Sequence, residues 1–154
     1  MTLSDGKDVA TILGSVIALL VLGKGVFEYA SQGAQKRAEQ FFAIRARLKD
    51  NESFKEICDL LERDDPSLAS IAFKEKRDFL GLFEEVTLLM NSRLIRKPVA
   101  HYMFGYYAIR CWESEHFWAD VNRESPYWAA FRKFVAEMRA VEDGFEYKPR
   151  RFRF

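Results

Sequence analysis

"HYMFGYYAIRCWESEHFW", residues 101–118, holds both histidines of the chain, one of its two cysteines and two of its three tryptophans. Such density has two readings: a reactive centre, or the packed middle of a helix bundle. The spacing of the apolar positions decides for packing. On a helical wheel Tyr102, Tyr106 and Ile109 share one side, with Met103 and Tyr107 beside them, while Phe104, Ala108 and Cys111 lie on another. A helix that is apolar most of the way round is buried by neighbours on several sides. The stretch is therefore expected to be the central helix of the fold. Gly105, costly inside a helix, is expected to admit a neighbouring backbone.

Outward from it, Lys97-Pro98 opens this helix and Ser125-Pro126 opens the next. Tyr127, Phe131, Phe134, Met138 and Val141 keep a helical period there, with Gly144 as a stop signal. Upstream, "NESFKEICDLLERDD" (51–65) begins with a cap-like Asn51 and a Ser53-x-x-Glu56 pair, then sets Phe54, Ile57, Cys58 and Leu61 on one face. Asp65 as N-cap and Pro66 at the first position open a third segment running to about Ser92. Its stripe is Phe79, Phe83, Val86 and Met90. No strand-length alternation or internal repeat occurs, and β-branched residues are sparse after residue 30, so the fold class is all-α.

"VATILGSVIALLVLG", Val9 to Gly23, carries no charge. At ~1.5 Å per residue it falls short of a ~30 Å hydrocarbon core, but Val26, Phe27, Tyr29 and Ala30 extend it, and Lys24 can snorkel. Asp5, Lys7 and Asp8 precede the run, which does not fit the basic start of a cleaved signal peptide. The reading is an N-terminal transmembrane helix (1–30), a four- to five-helix bundle (31–144), and a basic-aromatic tail (145–154). Lys24, Lys36, Arg37, Arg45, Arg47 and Lys49 follow the span, against Lys7 alone before it. The positive-inside rule then places the N-terminus outside and the bundle in the cytoplasm. With only two cysteines, Cys58 and Cys111 read as reduced thiols.

The formal net charge of +1 hides a segregation. Residues 24–49 hold six basic and two acidic groups, and residues 50–92 hold five basic and eleven acidic ones. The last thirty residues turn basic again, with "YKPRRFRF" at the end. Lys24, Arg150, Arg151 and Arg153 are the candidates for contact with anionic lipid. Nucleic acid is not an expected partner, because the chain has neither a basic face throughout nor a known binding motif.

Metal chemistry is the sharpest enzymatic reading, because Glu113 and His116 form a Glu-x-x-His motif. Di-metal bundles need a second copy, and none is present, so no cofactor is expected. A Cys–His pair from Cys58 or Cys111 with His101 would need tertiary contact, with nothing local to activate either thiol. Glu84 and Glu85 flank the apolar face of the third helix and Arg110 sits in the most apolar one. A buried ion pair between them is expected to set helix register.

"RDFLGLFEEVTLLMNSRLI", "VAHYMFGYYAIRCWE" and "YWAAFRKFVAEMR" together resemble a family of small bacterial proteins of unassigned activity. The resemblance spans about residues 36–140 and rests on the Phe-Leu-x-x-Phe-Glu-Glu and Phe-Gly-Tyr-Tyr…Arg-x-Trp-Glu runs. It implies one N-terminal transmembrane helix, a helical cytoplasmic region and a bacterial inner-membrane location. It points to Glu84 or Glu85, Arg110, Trp112 and Glu113 as positions of interest, and supplies no chemistry. The expected role is a membrane-anchored interaction or scaffold module, with the bilayer and a protein partner or second copy as its contacts. The alternative is an enzyme with a site between the central helices near Glu113 and His116.

Overall fold

The computed structural model describes residues 3–144, with side chains from residue 14 onward except those of residues 15, 30 and 34. The tail with Arg150, Arg151 and Arg153 lies outside the described residues. Every described element is helical. The chain divides into two compact units, Met1–Ala38 and Glu39–Phe154.

The first unit is helical from residue 3, within α1 (Leu3–Asp50), and Gly33 does not interrupt that helix. Val16, Ile17, Leu19, Leu20, Val21, Leu22, Val26 and Phe27 are 47% to 76% exposed, and Lys24 is exposed with them. Among the described residues no helix is long and apolar enough to cross a membrane. The uncharged run starts at Val9, and the side chains of residues 9–13 and 15 lie outside the described set. The described remainder of the run is too short for a span.

In the second unit the last turns of α1 bury Phe41, Ile44 and Leu48 and leave Phe42 exposed. Asn51 caps α2 (Glu52–Arg63) by accepting the Phe54 N–H at 3.1 Å. The Ser53-x-x-Glu56 box does not form, because Ser53 lies inside the helix and its hydroxyl donates to Glu75 at 3.0 Å. α2 ends on Asp64 in the left-handed region (φ 48°). The Asp65 N–H reaches back to the Leu60 carbonyl at 3.0 Å and the Asp64 N–H to that of Leu61, a Schellman closure without glycine.

Asp65 and Pro66 do start a helical segment, but it is a 3-10 turn, Pro66–Ser70, that inserts Leu68 into the core. Ile71 and Ala72 are extended, so α3 begins only at Phe73 and runs to Asn91. It buries Phe79, Leu80, Leu82, Phe83, Val86 and Met90. The rings of Phe54, Phe79 and Phe83 meet edge to face at 5.5 and 5.1 Å, and Phe83 stacks on Phe134 at 5.9 Å. Such contacts hold α2, α3 and α6 (Ala129–Glu142) together, each fully buried aromatic contributing about 1.5–3 kcal/mol.

After α4 (Lys97–Ala100), the opening stretch forms a π turn (His101–Gly105) and α5 (Tyr106–Glu113). Gly105 serves the turn itself rather than a neighbouring backbone. A Cβ there would meet His101 Cδ2 at 2.8 Å, so the glycine makes room for that ring. The helix is not surrounded on several sides as expected. Phe104, Ala108, Ile109 and Cys111 are buried, while Tyr102 and Tyr106 are 61% and 51% exposed. Ala100, Phe104, Ala108 and Cys111 form the buried side at ordinary helical spacing, and Tyr102, Tyr106 and Arg110 form the opposite, exposed one. Ser125 caps a second 3-10 turn, Pro126–Trp128, and α6 follows.

Candidate functional site

α5 stops at Glu113 because Ser114 turns extended, and its last carbonyls are taken by three different donors. The Ser114 N–H donates to the Arg110 carbonyl at 3.0 Å, the Trp118 indole N–H to Cys111 at 2.8 Å, and Arg123 to Trp112 at 3.3 Å. Arg132 then donates to the Ser125 and Arg123 carbonyls at 2.9 and 3.3 Å. Ser114 hydroxyl donates to Asp64 at 2.7 Å and accepts the Phe117 N–H. Trp112 packs against Trp118 at 5.8 Å with the Arg123 guanidinium 4.9 Å above its ring. This end of the dense stretch is a helix stop, satisfied group by group.

The Glu-x-x-His motif is not presented on one helical face, since His116 lies in the turn beyond α5. Glu113 is exposed and pairs with Arg139 at 2.8 Å. Among the described residues no group of three or more His, Cys, Asp or Glu is placed to hold a metal ion. Cys58 and Cys111 are free and buried. Burial pushes the Cys58 thiol up to about 12 and holds that of Cys111 well above its ordinary value. Both are protonated at neutral pH and poorly nucleophilic.

The expected buried pair between Glu84 or Glu85 and Arg110 does not form. Arg110 is exposed, its guanidinium 5.6 Å above the ring of Tyr106. Glu85 pairs instead with Arg47 of α1 at 2.7 Å, both half-exposed. Glu84 is half-buried against the Phe131 N–H in the first turn of α6. Burial raises its pKa, and the hydrogen bond from that N–H partly opposes the rise. α3 thus meets α1 and α6 through its two glutamates, and the helix of Arg110 takes no share in either contact.

Sequence reasoning missed Lys76, which is 2% exposed. Its ammonium donates to the Ala69 carbonyl at 3.4 Å and lies 5.6 Å from the Phe117 ring centroid. Burial lowers its pKa, with Asp120 acting in the opposite direction. The signal was present, because Lys76 precedes Phe79, Leu80 and Phe83 at helical spacing and shares their face.

Among the described residues, concavities mark the surface of the second unit. One of about 410 Å³ runs between Ala43 and Ile44 of α1 and Leu88 and Leu89 of α3 and is mostly apolar, with Gln40, Arg47 and Glu85 also lining it. A second, about 390 Å³, is of mixed charge, with Arg77, Asp78, Glu84 and Glu85 beside Trp128. A third, about 360 Å³, lies where α1, α2 and the π turn meet and has three basic side chains on its walls. Comparison with protein-family models, with curated proteins and with solved structures finds no match for the chain. The resemblance read from residues 36–140 has no matched family behind it.

Proposed function

We propose that the chain is a membrane-anchored helical interaction module, its N-terminal run seated in a bilayer and its bundle in the cytoplasm. The observation that carries this reading is the band of exposed apolar side chains from Val16 to Phe27. Water-exposed patches of this kind mark contact with a membrane or a partner. The sequence carries no charge from Val9 to Gly23, and the basic residues from Lys24 to Lys49 favour the cytoplasmic side. The reading takes the inner membrane as the location, as the sequence resemblance implies. Lys24, and Arg150, Arg151 and Arg153 of the tail, would then lie near anionic headgroups.

The interaction role draws its support from large side chains left in water on the bundle, chiefly Phe73, Leu88, Tyr102, Tyr106 and Tyr127. The observed groups favour no catalytic reading: the thiols are protonated, and Glu113 is tied to Arg139. Deleting residues 1–30 tests the anchor, and the expected result is transfer from the membrane to the soluble fraction. Protease added to intact spheroplasts should leave the bundle uncut, and digestion would reverse the orientation.

A further inference from the structure

The concavity of about 360 Å³ is built by the end of α1, by α2 and by the π turn with the start of α5. Its floor is apolar, formed by Leu48, Cys58 and Met103. Around that floor stand Arg45, Lys49 and Lys55, with Asp59 among the lining residues and Glu52 and Glu62 bonded to Lys55 and Tyr107 beside it. Lys55 is held by Glu52 at 2.7 Å, an exposed pair that an incoming anion can exchange at small cost. Arg45 and Met103 line the same concavity. Tyr107 closes one wall with its hydroxyl donated to Glu62 at 2.8 Å, so its ring is fixed.

Met103 reaches this floor from the π turn, and such turns concentrate at functional sites because they re-aim side chains at a cost in helix geometry. A site with cations on the walls and an apolar floor selects a ligand that is itself divided in that way. We infer that this groove binds an amphiphilic anion, a phosphate or carboxylate head with a short apolar chain. The head meets Lys49, Lys55 and Arg45, and the chain lies on Leu48, Cys58 and Met103. All of these residues belong to the unit Glu39–Phe154, and the inference does not rest on the membrane reading.

The test uses the full chain in phosphatidylcholine nanodiscs, or in buffer if it leaves the membrane, with empty discs as blank. Hexyl phosphate is titrated and followed by phosphorus NMR line width, beside inorganic phosphate and neutral hexanol. The expected result is saturable binding of hexyl phosphate, at least ~10-fold tighter than that of inorganic phosphate (~1.4 kcal/mol). Lys49→Gln with Lys55→Gln, both exposed positions, should weaken it by at least ~10-fold while the thermal transition is unchanged. Competition by phosphatidic acid placed in the discs would support the site and assign the anion to a membrane lipid. Retained hexyl phosphate binding without that competition would support a free amphiphile. No saturable binding, equal affinity for inorganic phosphate, or an unchanged affinity in the double variant would overturn the inference.

Discussion

The indole N–H of Trp118 donates to the carbonyl of Cys111 at 2.8 Å, and both residues are buried. That bond folds the segment after α5 back onto the helix it has just left. It also gives a role to tryptophan here that phenylalanine, smaller and without an N–H, does not fill. Trp118→Phe keeps the ring contacts with Phe117 and Phe131 but strands a carbonyl in the core. The expected loss is about 1–3 kcal/mol in denaturant unfolding.

Gly105 and His101 form a second coupled pair, because a methyl group at 105 would press into the imidazole. Gly105→Ala should destabilise by about 1–3 kcal/mol through overpacking. Adding His101→Ala should return much of that loss, and a double-mutant cycle measures the coupling. Additive effects would mean that the glycine serves something else.

Arg110 and Lys76 exchange the roles that their sequence surroundings suggest. Arg110→Ala removes an exposed cation over one tyrosine ring and should cost less than about 1 kcal/mol. Lys76→Met replaces a buried ammonium by an apolar chain of similar length and should be neutral or stabilising at pH 7. A large loss in the Lys76→Met variant would show that the Ala69 and Phe117 contacts outweigh desolvation.

Glu84 gives the fold a pH dependence whose sign follows from its raised pKa. The folded state holds the proton more firmly than the unfolded chain, so folding takes up a proton between the two pKa values. Stability is therefore highest below the unfolded value and falls as pH rises through the folded one. Glu84→Gln keeps an acceptor for the Phe131 N–H and should flatten this decline, stabilising the protein most at neutral pH. Equal pH profiles for the two proteins would show that Glu84 ionises at no cost.

Much of the fold was legible in local signals. The Asn51 cap, Pro66, Pro98 and Pro126 starts, and the Phe79–Met90 stripe act within a few residues, and each is found where the sequence places it. The losses have separate physical causes. Tyr102 and Tyr106 lie on the exposed side of a helix that reads as apolar most of the way round, and the extended Ser114 parts His116 from Glu113. The partner of Glu85 proved to be Arg47, thirty-eight residues away, a choice made by tertiary packing and invisible to spacing. Lys76 was hidden by its residue type, although its position lay on the core face.

The central claim is the membrane anchor, and alkaline carbonate extraction tests it most directly. Membranes from cells making the full chain are washed at pH about 11, which strips peripheral proteins but leaves helices that span the hydrocarbon core. The account predicts that the protein stays in the pellet with the lipid and is released only by detergent. Recovery of most of the protein in the carbonate supernatant would contradict it, and the exposed apolar band of α1 would need another partner.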